Sequence, residues 1–375
     1  MTVVLFVFGL LAFIGLVIVH EWGHFIAARR GGVEVEEFGV GFPPKALTIK
    51  KKRGTEYTLN WLPLGGFVRL KGEHDADTEP GSYGAAQLST KVKIMLAGVG
   101  MNLLTAFILF TIVALIGMPK LINDQFTVAS DTKITKQNLY AGYVDENSPA
   151  AKAGIKAKDQ LVSITNKEGV VSKIKTKDSL PNITHQSAGE TVTISYIRSG
   201  QTHETTATLL SDQEVEASKK TDNPKGYLGI VPTDLTLQRS TWSAPIVAVG
   251  TMKQLTVITF KGLGSIVSGL SRGDTKKATE QVSGPIGIYV VLKDGSSLGL
   301  AFVLMIIAVI SLTLAIMNIL PIPALDGGRL FVTLLYRVRR KKLTPKIEER
   351  IHGTGMAVLL TLIALISIVD VKRFF

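Results

Sequence analysis

Residues 2–19 carry no charged side chain, and this apolar run passes directly into His20-Glu21-Trp22-Gly23-His24. A helix of about 20 apolar residues crosses the hydrocarbon core of a bilayer, so the pattern predicts a transmembrane helix over 1–28 with ionisable groups at its end. Such groups are costly at membrane depth and mark function. On a helix, histidines at i and i+4 share one face. There both imidazoles can ligate Zn²⁺, with the intervening glutamate as general base for a metal-bound water. The run lacks a basic leader and a small-residue cleavage site, so it reads as a retained helix rather than a signal peptide.

Three more apolar stretches, 92–117, 298–328 and 353–370, are long enough for spans. With 46% hydrophobic and 19% charged residues, the chain reads as a polytopic α-helical membrane protein of about four transmembrane helices. The net charge of +12 is concentrated in two loops, at Arg29, Arg30 and 50–53, and at Arg337, Arg339, Arg340, Lys341 and Lys342. Positive charge near span ends sets orientation. Both loops are therefore expected on the cytoplasmic side, where they meet anionic headgroups of the lipid bilayer rather than nucleic acid. The long segment between spans two and three then lies outside. There is no cysteine, which excludes disulfides and thiolate metal ligands.

The loop 29–91 contains strand patterns at 47–50, 56–61 and 66–70 after a turn-rich break at 39–44. They predict a small cytoplasmic-side β-sheet near the motif, either as a scaffold or as an edge that holds substrate in extended form. Residues 73–80, with His74, read as a solvated acidic loop. The outer part, 126–232, alternates strands and turns, and Ser148-Pro149-Ala150 has the cap-and-proline signature of a helix start. Its length suits an α+β domain with its own core. Residues 243–270 are moderately apolar and read as an amphipathic interfacial helix or a gate beside the spans. His185 and His203 read as ordinary surface or packing residues.

Two histidines leave a hydrolytic zinc one protein ligand short. His352 and Asp326 are the candidates at suitable depth. The first and third spans both run inward, and each meets its motif toward the cytoplasmic end, which favours Asp326. Pro321 and Pro323 interrupt the helix just before it. Asn102, in the second span, needs a polar partner; it reads either as an interhelical hydrogen bond or as active-site support.

His20-Glu21-x-x-His24 paired with Asn318-x-x-Pro321-x-Pro323-x-Leu325-Asp326-Gly327 resembles the site-2 protease family of intramembrane zinc metalloproteases, in its bacterial regulator-of-sigma-E branch. The resemblance extends to 38–44, to the Ser148-Pro149-Ala150 run, which is similar to a PDZ domain, and to Ser283-Gly284-Pro285-Ile286-Gly287. It implies a zinc metalloendopeptidase with His20, His24 and Asp326 as ligands, Glu21 as base, and Asn318 (with Asn102 as a second candidate) at the substrate or oxyanion. It further implies single-span membrane protein substrates, anti-sigma factors or signal-peptide remnants, cut after a first external cleavage. A bacterial inner-membrane location and a single extracytoplasmic PDZ-like domain that binds peptide or excludes bulky ectodomains are also implied. Pro43, Val99 and Lys158 depart from the family pattern, which more often has Gly, Pro and Gly there. Two other classes use the same residues: a membrane metal transporter, which needs polar groups along a path, and an inactive adaptor, which does not need Glu21.

Overall fold

The computed structural model describes residues 1–198, 200–220, 224–273 and 284–374. Two compact units emerge, one of 1–118, 125–128 and 241–375, the other of 119–124 and 129–240.

The first unit contains four helices long and apolar enough to cross a membrane: α1 (Thr2–Arg30), α2 (Leu88–Ile116), and two C-terminal ones at Leu300–Ile319 and Pro345–Phe374. At 1.5 Å per residue, even a 20-residue helix reaches about 30 Å. Val3, Val4, Leu11, Val358 and Leu360 are among many large apolar side chains left exposed on these helices. A lipid solvent makes that surface stable where water would not.

Between α1 and α2 lie β1 (Val35–Lys52) and β2 (Thr55–Leu70), joined through Arg53-Gly54, both at positive φ. Residues 45–52 pair with 55–60 across this turn. Residues 35–40 sit between two parts of β2, with Val35 opposite Leu70 on one side and Glu37 opposite Glu56 on the other. The three expected short strands are thus parts of two long, bent ones, and the strand over 35–40 was not expected. The predicted break at 39–44 is a bulge within β1, allowed by Gly41 at φ 81°. Phe25 and Ala28 of α1, Val35, Phe38 and Leu70 of the strands, and Ile94 and Met95 of α2 share one core, which fixes the sheet to the ends of both helices. Phe25 meets Phe38 edge-on at 5.7 Å, a favoured aromatic geometry.

The loop at 73–80 is solvent-accessible, as expected, and is also tied down at its first half. Asp75 pairs with the fully buried Lys91 at the start of α2, and its backbone N–H donates to Glu348 at 3.0 Å. His74 Nε2 lies 3.5 Å from Glu349. These partners are remote in sequence, so local polarity gives the loop's exposure and not its tethers.

The second unit is an antiparallel sheet. After β3 (Met118–Pro119), its strands are β4 (Lys133–Val144), β5 (Gln160–Thr165), β6 (Val171–Lys173), β7 (Thr191–Arg198), β8 (Gln201–Thr208) and β9 (Ile230–Arg239). Their order is β9-β4-β5-β7-β8, with β6 beside β5. Short helices α3 (Pro149–Lys152), α4 (Ser179–His185) and α5 (Asp212–Ser218) complete it. Ser148 Oγ accepts from Ala151 N at 3.1 Å and caps α3. Leu139, Leu161, Ile164, Leu180 and Ile194 form the core, each contributing roughly 1.5–3 kcal/mol of burial.

Back in the first unit, α6 (Ala244–Ser271) packs Ala244, Val247 and Ala248 against Ala106, Phe110 and Val113 of α2, beside the spans. The chain then forms α7 (Pro285–Leu298), α8 (Leu300–Ile319), α9 (Asp326–Val338) and α10 (Pro345–Phe374). Gly299, at φ 111°, separates α7 from α8. Of the Ser283-to-Gly287 motif, Ser283 lies outside the described residues; Gly284 and Gly287 donate their N–H groups to the buried Asp370 at 2.8 Å each. The expected segment 298–328 divides where its prolines require it. Helix α8 stops at Ile319, the chain runs through Leu320 to Leu325, and α9 starts on Asp326.

Candidate metalloprotease active site

Helical spacing places His20 and His24 on one face of α1, with their Nε2 atoms 3.2 Å apart. Asp326 is the first residue of α9, brought there by a tight turn over 321–325 in which the Leu325 N–H donates to the Ile322 carbonyl and Ala324 sits at φ 80°. Its Oδ2 lies 3.1 Å from His20 Nε2 and 3.2 Å from His24 Nε2. These three atoms form a nearly equilateral triangle.

The surrounding residues hold that triangle in place. His24 Nδ1 donates to the Ile94 carbonyl at 2.8 Å. A backbone carbonyl only accepts, so the proton of His24 sits on Nδ1 and its Nε2 lone pair faces the triangle. Asn102, fully buried on α2, lies 3.2 Å from His20 Nδ1, and its own carbonyl accepts from Ser311 Oγ on α8 at 2.8 Å. Gly98 of α2 leaves the triangle clear, because a Cβ there would lie 2.5 Å from His24 Nε2 and 2.7 Å from His20 Nε2. The approach of α1 to α2 is equally close at Gly23, where a Cβ would meet the Ala97 oxygen at 2.6 Å.

The triangle opens on a cavity of about 440 Å³, which Glu21, Gly66, Phe67, Val68, Asn102, Asn318 and Arg329 also line. Glu21 thus shares the cavity with the triangle, and Gly66 of β2 passes close to it: a Cβ on Gly66 would lie 3.4 Å from Glu21 Cγ. His352, the other candidate ligand, instead accepts from the Ala324 backbone N–H at 3.3 Å and braces the stretch before Asp326. The small residues of the second span, Gly98 among them, suggest a close helix approach, but residue identity alone gives no sign of Arg329.

The residues fit a zinc ion. Tetrahedral zinc with bonds of about 2.0–2.2 Å has neighbouring ligand atoms about 3.3–3.5 Å apart, close to the observed spacings of 3.1–3.2 Å. Asp326 Oδ2 is buried with no hydrogen-bond partner, an arrangement that a cation satisfies. Among the described residues, this is the one group of three histidines and acids with ligand atoms close enough to share an ion.

A family model for peptidase family M50 matches residues 8–362. The chain belongs to that family. M50 comprises the site-2 proteases, and this member is a zinc-dependent metalloprotease and a membrane protein. A Clostridium acetobutylicum protein that bears the name of a zinc metalloprotease is 32% identical over 97% of this M50 chain and 96% of its own. The Enterococcus faecalis protein named as the protease Eep is 27% identical over 96% of this chain and 97% of its own. Among solved structures, the PDZ domain of an SdrC-like protein from Listeria monocytogenes covers 26% of this chain and 93% of its own at 21% identity, with a TM-score of 0.20.

Proposed function

We propose that this M50 metalloprotease hydrolyses peptide bonds within or beside the transmembrane segment of single-span membrane proteins, after a first external cut has trimmed them. The observation that carries this reading is the placement of Glu21 and the His20–His24–Asp326 triangle around one cavity at the end of an apolar helix. Such a site suits a substrate that arrives through the lipid.

In this reading His20, His24 and Asp326 hold zinc, which supplies Lewis acidity for the scissile carbonyl and for water. Glu21 takes the proton from water and passes it to the leaving amine. Asn318, on the cavity wall, donates to the oxygen that gains charge during attack. A helical substrate shields its carbonyls, so it must unwind first. The segment of β2 over 66–68, also on the wall, holds the unwound chain by main-chain hydrogen bonds.

In this reading this end of the site faces the cytoplasmic side of a bacterial inner membrane, which the positive charge of the two basic loops supports. The unit built on 129–240 then lies outside as a PDZ-like domain that screens substrate ectodomains. Anti-sigma factors and signal-peptide remnants are substrates of the required kind.

Mass-spectrometric mapping of the cleavage of a single-span model substrate by the purified protein in liposomes tests this reading. The expected cut lies in or next to the apolar segment, and faster cutting follows external trimming. Cutting confined to soluble regions would contradict it.

A further inference from the structure

Asn102 faces the wrong partner for its present orientation. Its amide Nδ2 lies 3.2 Å from His20 Nδ1, while its Oδ1 is buried without a hydrogen-bond partner. A donor at that position makes His20 Nδ1 an acceptor and moves the ring proton to Nε2. That nitrogen is the one that points at His24 Nε2 and Asp326 Oδ2. A proton there blocks ligation.

The two ends of a side-chain amide differ only by a half-turn about its last torsion, and the orientation is assigned from the surrounding network. With Oδ1 toward His20, the contact becomes Nδ1–H···O and the Nε2 lone pair is free. His20 then matches His24, whose proton the Ile94 carbonyl holds on Nδ1. The partners differ in kind: His24 is oriented by backbone, His20 by a single side chain. Ser311 Oγ fixes the Asn102 backbone from α8. The amide nitrogen then takes the buried place that Oδ1 holds now, in a residue that lines the cavity.

We propose that Asn102 is a positioning residue that accepts a hydrogen bond from His20 Nδ1–H through its Oδ1, and so selects the tautomer of His20 that can ligate zinc. This rests on the zinc reading of the triangle. It assigns Asn102 to the metal site rather than to the oxyanion.

The test is zinc release from the purified full-length protein into a chelator, with the absorption spectrum of the Co²⁺-substituted form as a second readout. Asn102→Ala should release zinc about 10–100-fold faster, the range typical for loss of a hydrogen-bond partner to a metal-ligating histidine, and should alter the Co²⁺ spectrum. Asn102→Asp offers only acceptors at neutral pH and should restore slow release. Thermal melting of the metal-free proteins checks that the variants fold; if Asn102→Ala does not, Asn102→Asp alone decides. Fast release from folded Asn102→Asp, or release from Asn102→Ala within twofold of wild type, would overturn the assignment. Wild-type protein that holds no zinc would overturn the metal reading beneath it as well.

Discussion

Gly98 presents bare backbone to His20: a Cβ at this position would lie 2.7 Å from the imidazole Nε2, inside van der Waals contact. Packing of α2 against α1 therefore shapes the candidate metal site as well as the helix pair. Gly98→Ala should abolish stoichiometric zinc and reduce cleavage by about 100-fold or more, as expected when ligands are displaced by about 1 Å. Gly100→Ala, two residues along the same helix with nothing within 4 Å of its Cβ position, should leave zinc intact and stabilise by up to about 1 kcal/mol. Metal analysis and thermal melting of the two variants check both expectations.

Lys91 is fully buried and paired with Asp75. Removing Lys91 leaves Asp75 with only Arg337, 4.0 Å away, so Lys91→Met should cost up to about 3–5 kcal/mol. The double variant Lys91→Met with Asp75→Asn should cost clearly less than the sum of the singles. Unfolding of the four proteins in one detergent measures the coupling; strict additivity would show that the pair does not interact.

In the second unit, Lys158 sits at φ 75°, a left-handed conformation that costs a residue with a Cβ about 1–2 kcal/mol. This gives a physical reason for glycine at the equivalent place in the family pattern. Lys158→Gly should relieve the strain and raise the melting temperature of that unit, less whatever the lysine side chain contributes. Calorimetry checks it.

Hydrogen bonds from Lys45, 2.8 Å away, and from Lys51 hold the exposed Glu56 carboxyl down at about 2 from its ordinary 4.5. A lowered folded-state value means that this contribution to the sheet is fully present above about pH 4.5 and is lost as pH falls toward 2. Since the group is exposed, salt should screen the effect. NMR titration of Glu56 at low and high ionic strength follows it; a midpoint at 4.5 in low salt would contradict the pairing.

Much of the architecture was legible because local period carries it. The helix over Thr2–Arg30 and the shared face of His20 and His24 follow from charge-free sequence and i, i+4 spacing. Strands around 160–165 and 191–198 follow from alternation. What escaped depends on remote partners. Residues 35–40 form a strand because they are flanked on both sides by β2, although Gly39 and Gly41 mimic a break. Strand β9 was missed because it is completed by long-range pairing with β4, against the local signal of Pro232. Loop 73–80 is solvated as its polarity suggests, but its tethers to Lys91 and Glu348 lie far away in sequence. At the site, Glu21 and the three ligand candidates announce themselves by residue type, whereas Gly98 acts through the absence of a side chain. Span direction already favours Asp326 over His352, and the hydrogen bond to Ala324 gives His352 its own place.

We propose Glu21 as the base beside a zinc ion held by His20, His24 and Asp326. The most direct measurement compares zinc content and single-span substrate cleavage for wild type and for Glu21→Gln, a variant that keeps the shape of the side chain and removes its basicity. One zinc per chain is expected in both proteins, and cleavage in the wild type alone. Cleavage that survives in Glu21→Gln would contradict it.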